Sequence, residues 1–328
     1  VTALTWYKKS LPTKRIMIDM MTNSFSMIIW YVVQLYSSRI CIFYTNFKSL
    51  PGYLVLFSIR EKRVFKASIL IAFLYPVMIS AAMISVIVSD CLDVHKRFWL
   101  FGTSIFENEM LDLSVAFLCM VAFYITKFLI PLLSTVVYSL FSYKLASAIR
   151  NQNEAIIRHV HTKNLPLQIN MYYRIVECCR HFDNCGKVII FLLLSMYCCT
   201  LYTGLGLILG EIDSIPEVVL VTEGIFTIVS FVSFAASLLV FASKIPMAMF
   251  ETRKRFQQLY RCVLLEEVSF SEKNLKLIKA LRDTEPFYLT AWDFFRIDKG
   301  LILSLFGVAL SFCVLIMHLK KVDTANIA

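Results

Sequence analysis

The sequence predicts an all-α fold of the polytopic membrane type, in which a bundle of helices crosses a lipid bilayer several times. Of the 328 residues, 58% are apolar and 17% are charged, and the mean hydropathy is +0.69. Soluble domains hold about half apolar and about a quarter charged residues. The apolar residues also fall in long runs, each near the roughly 20 residues that a helix needs to cross a hydrocarbon core. Such runs must be helical, because lipid offers no partner to an unpaired backbone N–H or C=O group.

Six apolar runs are long enough to be membrane spans, and residues 1–328 form one domain around them. The first run is the weakest because it carries Gln34 and Arg39. The third run is longer than one crossing needs, and Pro131 within it predicts a kink. The predicted spans are Ser24–Thr45, Ala67–Ser89, Leu113–Tyr143, Lys187–Gly210, Val218–Ser243 and Gly300–Leu319.

The charges predict the orientation, because lysine and arginine are enriched in cytoplasmic loops. The loops at 46–66, 144–186 and 244–298 are basic, and the loops between them are acidic. The basic loops are therefore expected in the cytoplasm, and the C-terminal tail after Leu319 is expected outside the cell. The net charge of +10 belongs to these loops, so the chain is not expected to bind nucleic acid.

The segment before the first span disagrees with this alternation. Lys8, Lys9, Lys14 and Arg15 lie where an outer loop is expected. A further helix upstream would resolve the conflict, since these residues would then belong to an outer loop between two spans. We therefore expect seven spans in the full-length form, of which the first is missing here, with a cytoplasmic N-terminus and an extracellular C-terminus.

The cytoplasmic loops are predicted to contain helices of their own. In the loop at 144–186, the apolar residues of Met171–Phe182 lie on one helical face. In the loop at 244–298, Ser269 and Glu272 have the spacing of a capping box before another amphipathic stretch. These helices are expected to pack against each other or against a partner.

The final predicted span carries polar residues at regular spacing. Ser304, Ser311 and His318 are seven residues apart, so they fall near one face of a helix. Small residues at such spacing let helices approach closely. Polar residues along one face can instead line a water-filled path. Spacing alone leaves both interpretations open.

The end of the chain resembles the C-terminal signature of the insect gustatory receptors, which belong to the arthropod gustatory and odorant receptor superfamily. The signature is a Thr-Tyr pair, five apolar residues and a Gln-Phe pair. Here Ser311-Phe312, five apolar residues and His318-Leu319 occupy the same frame, with all four signature positions substituted. The chain is identified as a divergent member of this family.

The segment Leu289–Asp298 is similar to the segment that leads into the last helix of many of these receptors, although Asp293 stands where a small residue is expected. The resemblance implies a chemosensory receptor in the plasma membrane that a small-molecule tastant opens as a non-selective cation channel. It also implies a tetramer, of identical or related subunits, whose final helices form one pore. The helices within 144–186 and 244–298 would then anchor the subunits to each other.

The resemblance implies roles for particular residues as well. Ser304, Ser311 and His318 would line the pore, and Leu315, one turn after Ser311, would form its hydrophobic gate. The tastant would bind among the outer halves of the other spans.

Two predicted spans contain charged residues, which cost about 2.5–3.5 kcal/mol at the centre of a bilayer on insertion scales. Lys127 lies beside Tyr124 deep in the third span, and Glu223 lies in the fifth apolar run. Each charge should face a cavity or a partner, so Tyr124, Lys127 and Glu223 are the candidate ligand-binding residues. For Lys127, snorkelling to the outer interface is the alternative.

No catalytic motif occurs in the sequence, so enzymatic activity and a cofactor are not expected. Cys178, His181 and Cys185 are spaced to share one helical face, but a metal site would need a fourth ligand, and packing is the favoured explanation.

Two other classes of membrane protein remain as alternatives. A G-protein-coupled receptor places its C-terminus inside the cell and usually has a disulfide in its outer loops, whereas Cys91 is the one cysteine clearly placed in an outer loop here. A transporter often carries inverted repeats, and none is convincing in this sequence.

Overall fold

The structure is a computed structural model in which the described residues are almost entirely helical. The described residues are 13–51, 57–90, 109–160, 162, 164–208, 217–265, 272–297, 300, 301, 303, 304, 307, 308, 311 and 314.

The described helices follow one another along the chain, and one small hairpin precedes the last helical segment. The elements are α1 (Thr13–Leu35), α2 (Ser37–Lys48), α3 (Ile59–Asp90), α4 (Glu109–Tyr124), a π-helical turn (Ile125–Leu129), α5 (Ile130–Arg158), α6 (Leu165–Ile208), α7 (Glu217–Ala242), α8 (Lys244–Leu265), α9 (Glu272–Asp283), β1 (Thr290–Ala291) and β2 (Phe295–Arg296). The described residues from Gly300 onward are helical as well.

Four described helical stretches are long and apolar enough to cross a membrane, and a bent pair of helices brings the number to five. Each of the four overlaps one predicted span. The sixth predicted span, Gly300–Leu319, lies mostly outside the described residues. The four stretches are Ile59–Val86, Met110–Arg158, Leu165–Gly206 and Val221–Cys262.

The predicted first span, Ser24–Thr45, corresponds to the bent pair. Its two halves, in α1 and α2, meet at 60°. The backbone bonds around the bend persist, because the Tyr36 N–H donates to the Val32 carbonyl and the Ile40 N–H to the Tyr36 carbonyl, both at 2.9 Å. The Arg39 guanidinium lies 4.9 Å from the centre of the Tyr36 ring. The bend therefore falls where the sequence carries its polar interruption.

Three of the stretches are much longer than one crossing. Met110–Arg158 has 49 residues, or about 74 Å at 1.5 Å per residue, against a hydrocarbon core of about 30 Å. The sequence predicts helices in the cytoplasmic loops beside the third and fourth spans. In the structure they are continuations of the same helices, since Met171–Phe182 lies inside α6.

The third predicted span contains an irregularity just before Pro131. The π-helical turn Ile125–Leu129 separates α4 from α5. Proline lacks a backbone N–H and crowds the preceding turn, and a wider π turn is one way in which a helix accommodates it. The turn buries Lys127 and Phe128.

The long helix α6 is the centre of the bundle and packs against α1, α2, α5 and α7. Beyond the apolar stretch, α8 packs on α5 and on α9. Ile149 of α5, Phe256 of α8 and Ile278 of α9 are fully buried there. The Asn153 side-chain amide also donates to the Thr252 hydroxyl between α5 and α8. One continuous core therefore joins the membrane part to the predicted cytoplasmic part.

Helices α6 and α7 approach closely at a glycine. A Cβ atom added to Gly204 would lie 2.7 Å from Cγ1 of Ile228 and 3.2 Å from the carbonyl oxygen of Gly224. The absence of a side chain is what permits this distance between the two backbones.

Candidate functional site

The final helical segment exposes most of its described side chains. Leu303 is 75% exposed and Val314 is 62% exposed, and a Cβ atom at Gly307 would meet nothing within 4 Å. Ser304 and Ser311 donate hydrogen bonds to carbonyl oxygens one turn earlier in the same segment, at 3.2 Å and 2.9 Å. Ser311 and Gly307 thus lie on the open side of the segment.

Two of the four predicted pore residues, Leu315 and His318, lie outside the described residues. Ser304 lies at the edge of the polar face predicted for Ser304, Ser311 and His318. Together with Leu301 and Val308 it lines a cavity on the side towards α6 and α7. With about 100° of rotation per residue, Ser304 and Ser311 differ by about 20° around the helix axis. The described residues of this polar face, Ser304 and Ser311, therefore lie along the edge of the cavity.

The predicted ligand-binding residues are buried inside the bundle. Lys127 is 2% exposed and Glu223 is 4% exposed, and both have interaction partners. The Lys127 ammonium lies 5.4 Å from the centre of the Phe123 ring and 5.9 Å from that of Phe128. The burial of Lys127 favours partners within the bundle over snorkelling.

Tyr124 and Lys127 lie one turn apart at the end of α4 and in the π-helical turn, and Glu223 lies on α7. The rings of Tyr124 and Phe128 are 5.7 Å apart, and those of Phe128 and Phe231 are 5.2 Å apart. Glu223 precedes Phe231 by eight residues, or about 12 Å along a helix. An aromatic contact thus connects the π-helical turn to α7.

The aromatic contacts continue beyond Phe231, which the sequence did not predict. Tyr75 of α3 packs edge-on against Phe128 at 5.5 Å, and Tyr197 of α6 lies 5.4 Å from Phe231. Aromatic residues are frequent in all apolar runs of the chain, so no sequence signal distinguishes these from others. Phe231 and Tyr197 also line the cavity beside the final segment. The ring cluster formed by Tyr75, Phe128, Phe231 and Tyr197 therefore connects the candidate ligand residues to that cavity by direct ring contacts.

The cavity has a volume of about 510 Å³ and lies between α6, α7, the hairpin and the final helical segment. Its walls are aromatic and aliphatic, apart from a few hydroxyl and thiol groups, and none of its lining residues is charged. The sequence pattern gives no sign of it, because it forms between segments about 100 residues apart.

The hairpin before the final segment is bonded to α6 by its backbone and its side chains. Asp183 of α6 accepts hydrogen bonds from the Thr290 N–H at 2.7 Å and from the Thr290 hydroxyl at 3.1 Å. The Trp292 N–H donates to the Lys187 carbonyl at 3.0 Å. Four residues of two segments thus fix the approach to the final helix.

The turn of the hairpin explains an unexpected residue in the sequence. Trp292 and Asp293 have φ angles of 49° and 60°, and aspartate tolerates this left-handed region better than most side chains. Asp293 also pairs with the Lys187 ammonium at 2.6 Å, and this hydrogen bond lowers the pKa of Asp293. Asp293 therefore combines the backbone role of a small residue with an ion pair.

Of Cys178, His181 and Cys185 in α6, the histidine is half-buried. Cys178 and Cys185 are buried thiols. Within the part of the chain that the structure describes, no three His, Cys, Asp or Glu residues are grouped to hold a metal ion.

These features define an all-α, multi-pass membrane bundle with helices that extend far beyond the bilayer. The structure is similar to that of the insect olfactory receptor OR5 from Machilis hrabei, with a TM-score of 0.58 and 14% sequence identity. The similarity covers 92% of this chain and 80% of that chain. It confirms the predicted fold class, because the fold is shared with that receptor. Neither a protein-family model nor a curated protein matches the sequence.

Proposed function

We propose that the protein is a chemosensory receptor of the gustatory type that acts as a ligand-gated, non-selective cation channel. The observation that supports this most is the fold shared with an insect olfactory receptor. In this chain, the final helical segment carries Ser304 and Ser311 near one face. The shared fold is the reason to rank a receptor channel above a G-protein-coupled receptor or a transporter.

The exposure of the final segment supports an assembly of several copies. Leu303, Val308 and Val314 are large apolar residues with more than half of their surface exposed. In an assembly around an axis, apolar faces would contact lipid and neighbouring subunits, and the open side with Gly307 and Ser311 would line the pore. We expect a homotetramer or a heterotetramer with related subunits, with Leu315 and His318 continuing the pore lining.

The buried charges support a tastant site in the membrane bundle. Lys127 and Glu223 are kept inside an apolar environment in which each charge is costly. Tyr124 lies one turn from Lys127, and the ring cluster connects this region to the wall of the final helix. A ligand that binds more tightly to the open form than to the closed form would shift the equilibrium towards opening.

Measurements of the mass of the assembly and of the ionic current test this proposal together. The purified chain would be reconstituted into planar bilayers, with its mass measured in the same detergent. We expect a four-subunit mass and cation currents that disappear when a large organic cation replaces sodium and potassium. A helical, monodisperse preparation with a single-subunit mass and no current would contradict the proposal.

The orientation is tested separately by an epitope tag after Ala328. An extracellular C-terminus predicts staining of intact cells that express the protein at the plasma membrane. Staining only after permeabilisation, in protein shown to be at the cell surface, would reverse the orientation and remove the charge argument for a channel.

A further inference from the structure

The cavity between α6, α7, the hairpin and the final helical segment has the properties of a binding site. Its volume of about 510 Å³ lies within the roughly 300–1,000 Å³ of pockets that hold small molecules. It is separate from Tyr124, Lys127 and Glu223, none of which lines it. We propose that it is a second ligand site, which binds neutral apolar molecules directly against the final helix.

The walls determine the class of ligand. Phe231 and Tyr197 supply aromatic surface, and Leu194 and Leu239 supply aliphatic surface. No lining residue carries a charge, so a charged ligand would lose its hydration without gaining an ionic partner. The site therefore selects neutral molecules with rings or hydrocarbon chains.

The Ser304 hydroxyl on the final segment can orient a bound ligand by a hydrogen bond. Ser304 donates its proton to the Gly300 carbonyl, so its oxygen can still accept a hydrogen bond. A ligand with a single O–H or N–H group could donate to Ser304 while its apolar body fills the rest of the cavity.

The cavity is partly open, because Phe295, Ser304 and Val308 in its wall are themselves exposed. A ligand can therefore enter it from the surface of the bundle. A cavity with apolar walls excludes water and takes up apolar molecules instead. In a membrane, such molecules are either dissolved compounds that partition into lipid or the acyl chains of lipids themselves. These two sources share the chemistry that the walls select.

Occupancy of this site would act on the final helix by contact. Leu301, Ser304 and Val308 form one wall of the cavity, and α6 and α7 form the opposite walls. A ligand that fills the space would hold the final segment away from α6. The binding claim stands without channel activity, whereas this effect on opening rests on the proposed function.

Binding of a neutral fluorescent dye, N-phenyl-1-naphthylamine, to the full chain in lipid nanodiscs tests the site. Ala236→Phe fills the cavity from the α7 wall, and Ser237→Phe adds the same ring to the exposed side of the same helix as a matched control. We expect at least about tenfold weaker dye binding in Ala236→Phe and no change in Ser237→Phe. Equal binding in both variants and the parent would overturn the proposal.

Two further measurements keep the test decisive. If Ala236→Phe fails to fold, Ala235→Val reduces the same cavity with a smaller change, and its dye affinity should fall in the same direction. A cationic naphthyl analogue, 1-naphthylmethylamine, should bind about tenfold more weakly than the neutral dye. Tighter binding of the cation would contradict the class of ligand.

Competition identifies the source of the ligand. Displacement of the dye by 2-phenylethanol, a soluble neutral aromatic alcohol, supports a dissolved ligand. Displacement by added short-chain phosphatidylcholine supports an acyl chain. Dye that neither compound displaces, and that Ala236→Phe does not weaken, is bound elsewhere and the proposal fails. All of these readouts are independent of current, so they separate the failure of this site from the failure of the channel.

Discussion

At the scale of single residues, the buried lysine is the least expected side chain of the molecule. Lys127 sits in a π-helical turn between aromatic rings and is almost inaccessible. The sequence predicts its burial, because a lysine inside an apolar run must find a cavity or a partner. The π-helical turn that holds it was not predictable, since its position depends on how the chain accommodates Pro131 against α3 and α7.

Replacement of Lys127 by methionine tests its proposed role in ligand binding. Methionine keeps the approximate length of the side chain and removes the charge. We expect the amount of protein at the cell surface to be kept or increased and the tastant-evoked current to be lost. Lys62→Met, on the exposed first turns of α3, is the control and should change neither. A normal response of Lys127→Met would exclude a role in ligand recognition.

Asp293 allows its backbone role and its ionic role to be separated. Asp293→Gly keeps the left-handed turn and removes the pair with Lys187, which is an exposed pair and should cost little. Asp293→Val removes the pair and also strains the backbone, and we expect it to lower the free energy of unfolding by about 1–2 kcal/mol more than glycine does. Thermal unfolding of both variants in nanodiscs measures the difference. Equal stabilities would show that the φ angle carries no penalty.

The pair between Asp293 and Lys187 also has a defined pH dependence. Because the pKa of Asp293 is lowered in the folded protein, its contribution is complete above the ordinary value of about 3.9. It is lost as the pH falls through the lowered folded pKa. We expect amide exchange in the hairpin, corrected for its intrinsic pH dependence, to be constant from about pH 5 to 8. Burial raises the pKa of Asp183, which holds the hairpin through Thr290, so a change that begins at higher pH than Asp293 predicts would point to Asp183.

At the scale of elements, helix length and helix breaks were not equally predictable. Hydropathy locates the spans because an apolar run must be long enough to cross lipid. It does not show where a helix ends in the cytoplasm, so the sequence predicts Met171–Phe182 to be helical but not that it continues into the span as part of α6. The hairpin at 290–296 and the cavity beside it depend on contacts between distant segments, so neither leaves a periodic signal in the sequence.

The hydrogen bonds between Asp183 and Thr290 should control how firmly the hairpin is held on α6. Asp183→Ala leaves the Thr290 N–H without its acceptor, and an unsatisfied buried donor costs about 1–3 kcal/mol. We expect faster amide hydrogen exchange at Thr290 and in the rest of the hairpin. Thr290→Val removes only the hydroxyl and should have a smaller effect on the same amide.

The control for this experiment is Thr203→Val, because the Thr203 hydroxyl bonds within α6, to the Cys199 carbonyl at 2.8 Å. Exchange in the hairpin should not change in this variant. If Asp183→Ala also leaves hairpin exchange unaltered, the two hydrogen bonds do not hold this segment in solution.

At the scale of the whole molecule, the central question is which side of the final helix faces the axis of the assembly. The described residues separate a cavity side, with Val308, from an open side, with Gly307 and Ser311. A single chain leaves both partly exposed, and only an assembly distinguishes them.

A cysteine at each position distinguishes the two sides. In a background with the native Cys313 replaced by alanine, Ser311→Cys should react with a water-soluble cationic thiol reagent, and the current should fall as positive charge accumulates in the pore. Val308→Cys should react much more slowly, since its surroundings are apolar. Faster reaction at Val308 would place the water-filled path on the other side of the helix and reject Ser311 as a pore residue.

The close crossing of α6 and α7 at Gly204 bears on how far the sequence of such a fold can vary. A crossing with so little room for a methyl group favours glycine at that point, whereas a side chain that faces hydrocarbon can be exchanged among leucine, isoleucine, valine and phenylalanine at little cost. Most positions of such a sequence can therefore change while a few crowded positions keep the helices in place. A pair of proteins at 14% identity with a common shape is what this division of constraint produces. Other chains with this fold are therefore expected to share the spacing of their crowded positions more than their residue identities.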